Sequence, residues 1–181
     1  MSKDRSNRPD RRAVLAAAPA LALAAESAAR ADPPAGPTPG VEFALEAIVT
    51  LAAAQTPGVT PYGKRNRVPI TGGTFRGPRI SGKVLSGGAD WQLTRADGVT
   101  AIEADYMIQA DDGALIHVYN KGMIVPPPAG GPGVPYFRTT PVFEAPIGPH
   151  DWLNKAVFVG TADIATGQPG PAVRIRAFRV T

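Results

Sequence analysis

The central part of the chain alternates apolar and polar residues with a period of two, in runs separated by glycine-containing turns. Between residues 68 and 106, β-branched and aromatic residues alternate with polar ones, and the runs are broken at Gly72-Gly73, Gly87-Gly88 and Asp97-Gly98. Such alternation is typical of strands with one buried face, and Gly-Gly and Asp-Gly pairs favour tight turns. The segment is therefore predicted to form a β-meander of three strands.

The chain on both sides of the meander follows the same pattern. Val41–Leu51 fits a strand and, from its Ala and Glu content, also a helix, but its β-branched end, Ile48-Val49-Thr50, favours the strand. Residues 52–63 contain two prolines and are predicted to form a loop. Further strands are predicted to end at residue 110 and to span residues 114–125, 136–145, 151–164 and 172–180.

About nine strands, each with one apolar face and with frequent turns between them, indicate an all-β fold. A sandwich and a barrel both fit this spacing. We favour a single antiparallel β-barrel over residues 41–181, because closing the sheet removes exposed edge strands. A barrel of this strand number can hold one small ligand. Pro141 predicts an edge, a bulge or a bend in strand 136–145.

Residues 1–31 are predicted to be an export signal. Arg11 and Arg12 directly precede a weakly hydrophobic, Ala-rich segment, and Ala29-Arg30-Ala31 offers a cleavage site with small residues. This pattern is typical of twin-arginine signals. We therefore expect a periplasmic or secreted bacterial protein.

A retained membrane anchor is the alternative interpretation of the same residues. The apolar segment at residues 13–25 is shorter than the about 20 residues that span a bilayer, and it contains Pro19. No stable membrane insertion is expected after removal of the signal. Residues 32–40 are rich in proline and glycine and are predicted to be a linker.

The basic character of the chain is concentrated in the predicted signal. Of 19 basic and 15 acidic residues, six basic and three acidic ones precede Asp32, which leaves 13 and 12 in a nearly neutral domain. Such a domain lacks the positive surface that binds phosphate backbones, so no nucleic-acid partner is expected. Arg174 and Arg176 would extend a basic stripe at residues 64–67 only if their strands were neighbours.

The sequence carries none of the familiar patterns for metal or cofactor binding, so we expect neither a bound metal ion nor a cofactor. It has no cysteine, and His117 and His150 are too far apart for the usual ligand spacings. No serine occupies a Gly-x-Ser-x-Gly turn. The glycines at residues 72–77 follow a strand without opening a helix, so they are predicted to bend the barrel wall and not to bind phosphate.

Four segments, in this order, resemble a bacterial and fungal family known as domain of unknown function 3237, or uncharacterised protein family 0311. They are the meander at 68–106, DDGALIHV from Asp111, YFRTTPVFE from Tyr136 and WLNKAVFVG from Trp152. The resemblance covers nearly all of residues 41–180. It implies an antiparallel barrel similar to the allene oxide cyclase and dirigent barrels, which hold small apolar molecules, and so it implies a cavity.

Carboxylates next to aromatic residues on the predicted strands are the candidates for chemistry. Asp90, Asp105 and Tyr106 are the candidate catalytic residues, because a carboxyl group in apolar surroundings has a raised pKa and can act as a general acid or base. The candidate ligand-binding residues are Trp91, Arg138, Glu144, Trp152 and Asn154. The alternative is a buried carboxylate–arginine pair with a structural role.

The period of two places Asp90 and Gln92 on one face of their strand and Trp91 on the other, and it separates Asp105 from Tyr106 in the same way. The pattern does not define which face points inward. An inward Arg138 would need a carboxylate partner and would orient a carbonyl or carboxylate ligand.

Two hypotheses follow. The first is an exported barrel that binds a small, partly aromatic or carbonyl-bearing molecule and either only binds it or transforms it by cofactor-free acid–base chemistry. The second is a non-enzymatic structural or assembly module of the cell envelope. A cavity lined by Asp90 or Asp105 together with Tyr106 and Arg138 favours the first, and an interior packed with Leu, Val and Phe favours the second. A homo-oligomer is compatible with both.

Overall fold

The structure, a computed structural model, describes residues 36–128 and 133–181. These residues contain ten strands and one short 3₁₀ helix. The predicted signal, residues 32–35 of the predicted linker and residues 129–132 lie outside the described residues. None of the helices in the described part has the length and apolar character needed to cross a membrane. The elements are β1 (Val41–Leu51), β2 (Gln55–Thr60), β3 (Gly63–Arg76), β4 (Ser81–Val84), β5 (Ala89–Thr94), β6 (Thr100–Ala110), β7 (Leu115–Val125), β8 (Tyr136–Glu144), the 3₁₀ helix (Asp151–Lys155), β9 (Phe158–Ile164) and β10 (Ala172–Val180).

The sheet closes on itself because β1 pairs with both β10 and β3. Around the wall the order is β1, β10, β9, β8, β7, β6 and β3. Two shorter strands, β4 and β5, lie between β6 and β3, and each pairs with a different stretch of both. All pairings are antiparallel, and the result is a closed barrel of eight strands with extra strands. The predicted antiparallel barrel is confirmed.

Two predicted elements are wrong in detail. The predicted loop at residues 52–63 contains β2, which pairs with the first half of β3 through a register irregularity between Gln55 and Gly58. Pro57 lies at this irregularity, where a strand tolerates a residue without an N–H. The predicted strand at residues 151–164 begins instead as the 3₁₀ helix, which buries Leu153 in the core.

A bulge in β3 bends the wall and changes which side chains point inward. Ile70 and Phe75 are separated by an odd number of positions, yet both are buried in the core, which strict alternation would forbid. The register of β3 against β1 slips at Thr71. Gly73 has φ +135°, and a Cβ there would lie 2.0 Å from the carbonyl oxygen of Ile48. Gly73 therefore allows β1 to approach closely beside this bulge.

The pairing between β8 and β9 is short. It covers only Arg138 and Thr139, so it ends before Pro141, where the sequence predicts an interruption. Beyond that point, the Asn154 side chain accepts a hydrogen bond from the Ala145 N–H and donates one to the Ala145 carbonyl oxygen, both at 2.8 Å. This side chain thereby satisfies backbone groups that a neighbouring strand would otherwise bind.

The interior is packed at one end of the barrel and hollow at the other. The packed end contains a cluster of large side chains, in which the rings of Phe143 and Phe158 meet edge to face with their centroids 5.0 Å apart. Leu153 and Ile116 in the same cluster are 1% and 0% exposed. Burial of these side chains stabilises the fold, and the hollow end leaves space for a ligand.

The outer face carries a network of ion pairs across β1, β10 and β9. The carboxylate of Glu46 lies 2.9 Å from Arg176 Nε, and Asp163 lies 3.0 Å from Arg174 Nη1. β10 has β1 and β9 as neighbours, whereas residues 64–67 of β3 pair with β2 and β5. The basic residues of β10 and β3 therefore do not form a shared stripe.

Candidate functional site

A cavity of about 300 Å³ occupies the hollow end of the barrel. Its walls are mainly apolar, and they are formed by side chains such as Val49, Ile70, Ile102, Ile124, Phe137 and Ile175. A few polar side chains reach the same space: Asp90, Gln92, Tyr106, Asn120 and Thr139. An apolar cavity with a small number of converging polar groups is the usual form of a small-molecule site.

Asp90, on β5, is the only acidic side chain among the described residues that line this cavity. One of its oxygens, Oδ2, accepts a hydrogen bond of 2.7 Å from Gln92 Nε2, and the other, Oδ1, accepts one of 3.1 Å from the Glu103 N–H. Burial raises the pKa of Asp90 above the usual value of an aspartate, and the two hydrogen bonds offset part of this effect. A carboxyl group with a raised pKa is a candidate general acid or base.

The orientation of β5 is opposite to what its polarity suggests. Asp90 and Gln92 face the cavity, whereas Trp91 lies on the outer face and is 44% exposed. The register fixes this orientation, because Asp90 pairs with two buried residues, Val68 of β3 and Ala104 of β6. A strand that turns its polar side inward violates the usual pattern, and such violations are typical of functional sites.

Tyr106 enters the cavity from β6 and is buried. The Cβ of Tyr106 lies close to Gly88, and a Cβ added at Gly88 would come within 2.4 Å of it. Burial raises the pKa of Tyr106 strongly. The phenol therefore stays protonated at neutral pH and acts as a hydrogen-bond donor or acceptor, not as a base.

Asn120 and Thr139 complete the polar lining, and the sequence analysis missed both. They are 1% and 3% exposed, and among the described residues neither Asn120 Oδ1 nor Thr139 Oγ1 has a hydrogen-bond partner. The sequence does contain a signal for Asn120. Asn120 follows Ile116 and Val118 in the inward phase of β7, so it is a polar residue in an apolar series.

Asp105 lies on the outer face of the wall and not in the cavity. It is exposed, and its Oδ1 lies 2.8 Å from Nε2 of His117. The other ring nitrogen of His117 lies 3.5 Å from the carboxylate of Glu144, which is also exposed. Trp91 is on the same outer face, with the guanidinium of Arg67 above its ring at 5.8 Å from the centroid.

Arg138 also points outward. Its guanidinium lies 4.8 Å from the ring centroid of Tyr136 and donates a 3.0 Å hydrogen bond to the Phe137 carbonyl oxygen. The inward pair of Arg138 with a carboxylate, considered from the sequence, is therefore not formed. The physical reason is the pleat, because Thr139 and Phe143 of the same strand occupy the inward phase.

The two remaining candidates belong to the 3₁₀ helix. Trp152 packs on Phe158 at a centroid distance of 6.1 Å and lies under the guanidinium of Arg79 at 4.4 Å. Asn154 binds the backbone of Ala145. Of the eight residues predicted for the site, the structure thus brings Asp90 and Tyr106 together at the cavity. Within residues 36–128 and 133–181, no group of three or more His, Asp or Glu side chains is placed to hold a metal ion.

The match of the chain to a family model covers the whole barrel. Residues 39–180 match the family described as protein of unknown function DUF3237. The chain belongs to the DUF3237 family. The resemblance proposed from the four sequence segments is confirmed.

The chain is also similar to several individual proteins and solved structures. A UPF0311 protein of Rhodopseudomonas palustris (strain TIE-1) is 35% identical over 136 residues, which is 70% of this chain and 89% of the relative. The crystal structure of a beta-barrel like protein from Acinetobacter baumannii AYE is 34% identical, with a TM-score of 0.72 over 81% of this chain and 98% of that one. The hydroalkoxylation enzyme phnH of Penicillium herquei is 30% identical over 123 residues, which is 68% of this chain and 74% of the enzyme.

Proposed function

We propose that the barrel binds a small, partly aromatic or carbonyl-bearing molecule in the cavity and transforms it by acid–base chemistry at Asp90. The observation that carries the proposal is one carboxyl group, with a pKa raised by burial, in a mainly apolar cavity whose other polar lining in the described residues is uncharged. Enzymes raise the pKa of a carboxyl group in this way when it has to exchange protons near neutral pH. A purely structural barrel would have no use for a desolvated carboxylate at a hollow end.

The relative in Penicillium herquei suggests the class of reaction. Hydroalkoxylation adds the O–H of an alcohol or phenol across a carbon–carbon double bond. In such a step Asp90 would take the proton of a ligand hydroxyl while the oxygen forms a bond to one alkene carbon. The π electron pair moves to the other alkene carbon, which then receives the proton back from Asp90. All atoms of the ligand are retained and no redox change occurs, so the step as proposed requires no cofactor.

Tyr106 would assist this step from its place on the cavity wall. As a protonated phenol it can donate a hydrogen bond to a ligand oxygen, for example a carbonyl conjugated to the double bond. Such a donor stabilises the negative charge that develops on that oxygen when the ligand hydroxyl attacks. Asp90 is thus assigned the proton transfer, and Tyr106 the stabilisation of charge.

The proposal is tested with protein purified from its own host. Native mass spectrometry should find a small molecule bound to the wild-type protein. Incubation of this molecule with the wild-type enzyme in D₂O should give an isomeric product with one carbon-bound deuterium. Asp90→Asn should retain the ligand but lose about 10²–10⁴-fold in rate, which is the usual contribution of a general acid–base. Asp105→Asn, on the outer face, is the matched control and should react at the wild-type rate. An Asp90→Asn variant with the wild-type rate would rule out the assigned chemistry.

The cellular location is a separate proposal and rests on the N-terminal sequence. We propose that residues 1–31 direct export by the twin-arginine route and that the mature chain begins at Asp32. Replacing Arg11 and Arg12 by Lys should leave the precursor in the cytoplasm, as seen by fractionation and immunoblotting. Detection of an intact Met1 in periplasmic protein by N-terminal sequencing would contradict signal cleavage.

A further inference from the structure

The wall of the cavity away from Asp90 carries two buried polar atoms that have no hydrogen-bond partner in the described part of the chain. Asn120 Oδ1 and Thr139 Oγ1 lie on neighbouring strands, β7 and β8, and both residues line the cavity. Asn120 is 1% exposed and Thr139 3% exposed, so bulk water does not solvate them in the usual way. Buried polar atoms are almost always hydrogen-bonded, and an unpartnered pair in one place therefore points to a ligand.

The neighbours of these two residues explain why the protein offers no partner. Across the strands, Asn120 faces Ala104 and Pro141, and neither has a polar side chain. Pro141 also lacks an N–H. The neighbours of Asn120 in the wall thus leave its amide oxygen to whatever enters the cavity.

Glycines surround Thr139 in the same way. It pairs with Gly122 on one side and Gly160 on the other. A Cβ at Gly160 would lie 2.3 Å from Thr139 Oγ1, and one at Gly122 would lie 2.8 Å from Thr139 Cγ2. Larger residues at either position would displace the threonine side chain, so the two glycines leave the room that it occupies.

Asn120 and Thr139 are close enough to bind one functional group together. Asn120 pairs with Pro141, and Thr139 is two positions away from Pro141 on the same face of β8. Such diagonal neighbours lie about 7–8 Å apart along the sheet, within reach of one atom placed between the side chains. Asp90 is two strands away from Asn120, about 10 Å at the backbone, with only the small Ala104 between them.

We infer that Asn120 and Thr139 bind a hydroxyl group of the ligand, at the side of the cavity away from Asp90. Asn120 Oδ1 is an acceptor and requires a donor, which a carbonyl or an ether cannot supply. Thr139 Oγ1 can donate to the same ligand oxygen. The site is thus complementary to an alcohol or phenol, and the ligand carries this hydroxyl in addition to the group that faces Asp90. The inference rests on the proposed function, because it assumes that the cavity binds a ligand.

The test compares two aromatic probes that differ only in the donor. Isothermal titration calorimetry on the full-length protein at pH 7 should show that 2-naphthol binds about tenfold more tightly than 2-methoxynaphthalene, as expected for one buried hydrogen bond. In Asn120→Leu and Thr139→Val this ratio should fall towards one, while the affinity for 2-methoxynaphthalene stays the same. Thr139→Ser should keep the ratio. Thr140→Val is the matched control, since Thr140 is the next residue on the same strand and lies on the outer face.

A second measurement separates a ligand-binding role from a structural one. Without ligand, Asn120→Leu should melt about 3 °C or more above the wild type, because it removes a buried acceptor that has no partner. A structural asparagine would show the opposite shift. If Asn120→Leu does not fold, Thr139→Val decides the question alone.

The outcomes separate this inference from the proposed function. Equal affinity of the wild type for both probes would overturn the hydroxyl site and leave ligand binding in place. The same holds if the preference for 2-naphthol disappears in Asp90→Asn but survives in Asn120→Leu and Thr139→Val, because the hydroxyl would then bind Asp90. Failure of both probes to bind would overturn the ligand-binding barrel itself, and the hydroxyl site with it.

Discussion

Two acidic–aromatic pairs on adjacent strands, Asp90-Trp91 and Asp105-Tyr106, have opposite orientations in the barrel wall. In the first pair the carboxylate lines the cavity and the aromatic ring is outside. In the second pair the ring is buried and the carboxylate is exposed beside His117. The two pairs look alike in sequence, so the environment of each carboxylate is decided by the register of its strand and not by its neighbours in the chain.

The largest effect in this comparison is expected from the buried ring. Tyr106→Ala should lower the free energy of unfolding by about 3–5 kcal/mol, because it leaves a cavity in the middle of the barrel. Tyr119→Ala on β7 is the matched change on the outer face, where the ring is half-buried and contacts Lys121 at 5.1 Å. It should cost less than about 1 kcal/mol. Urea denaturation measures both, and equal losses would contradict the assignment of the two faces.

A smaller effect is expected from the pH dependence of stability. Because burial raises the folded-state pKa of Asp90, its contribution to stability is fully present below the ordinary aspartate pKa of about 3.9. That contribution is lost as the pH rises through the raised folded-state value, since the folded protein then has to give up a proton that it binds more tightly. Asp90→Asn should remove this decline, and Asp105→Asn should keep it. Chemical denaturation between pH 4 and 8 gives the slopes. A wild-type slope in Asp90→Asn would mean that Asp90 is as well solvated as Asp105.

The smallest effect is expected at Arg138. Since its side chain lies on the outer face against Tyr136, Arg138→Ala should change the free energy of unfolding by no more than about 0.5 kcal/mol and leave ligand binding intact. Thermal denaturation with and without the co-purified ligand checks this. A loss of ligand stabilisation in Arg138→Ala would place the arginine in the site after all, and would remove the simple division between inner and outer face.

Much of the barrel could be predicted from the sequence because it depends on local rules. Alternation and turn residues predict most of the strands, and the period of two correctly separates Asp90 from Trp91 and Asp105 from Tyr106. The inward side could also have been derived for β8, where Thr139 and Phe143 share a phase that excludes Arg138.

The orientation of β5 could not be derived in this way. Its two faces carry Asp90 and Gln92 on one side and Trp91 and Leu93 on the other, so hydrophobicity alone would turn the aromatic face inward. Pairing with β3 and β6 overrides this preference. Asn120 escaped notice because a search for charged and aromatic residues does not select an amide, although its position in the apolar phase of β7 distinguishes it.

The bulge at Thr71 has a consequence for how this barrel can be altered. It resets the alternation of β3, so the stretch around Ile70 at the hollow end and the stretch around Phe75 at the packed end do not share one pleat phase. Ile70 lines the cavity and Phe75 does not, so substitutions at these two positions of β3 should act on different ends of the interior. Random libraries confined to the hollow end should then contain many folded proteins with new ligand preferences. We expect such substitutions to lower the stability less than substitutions around Phe143 do.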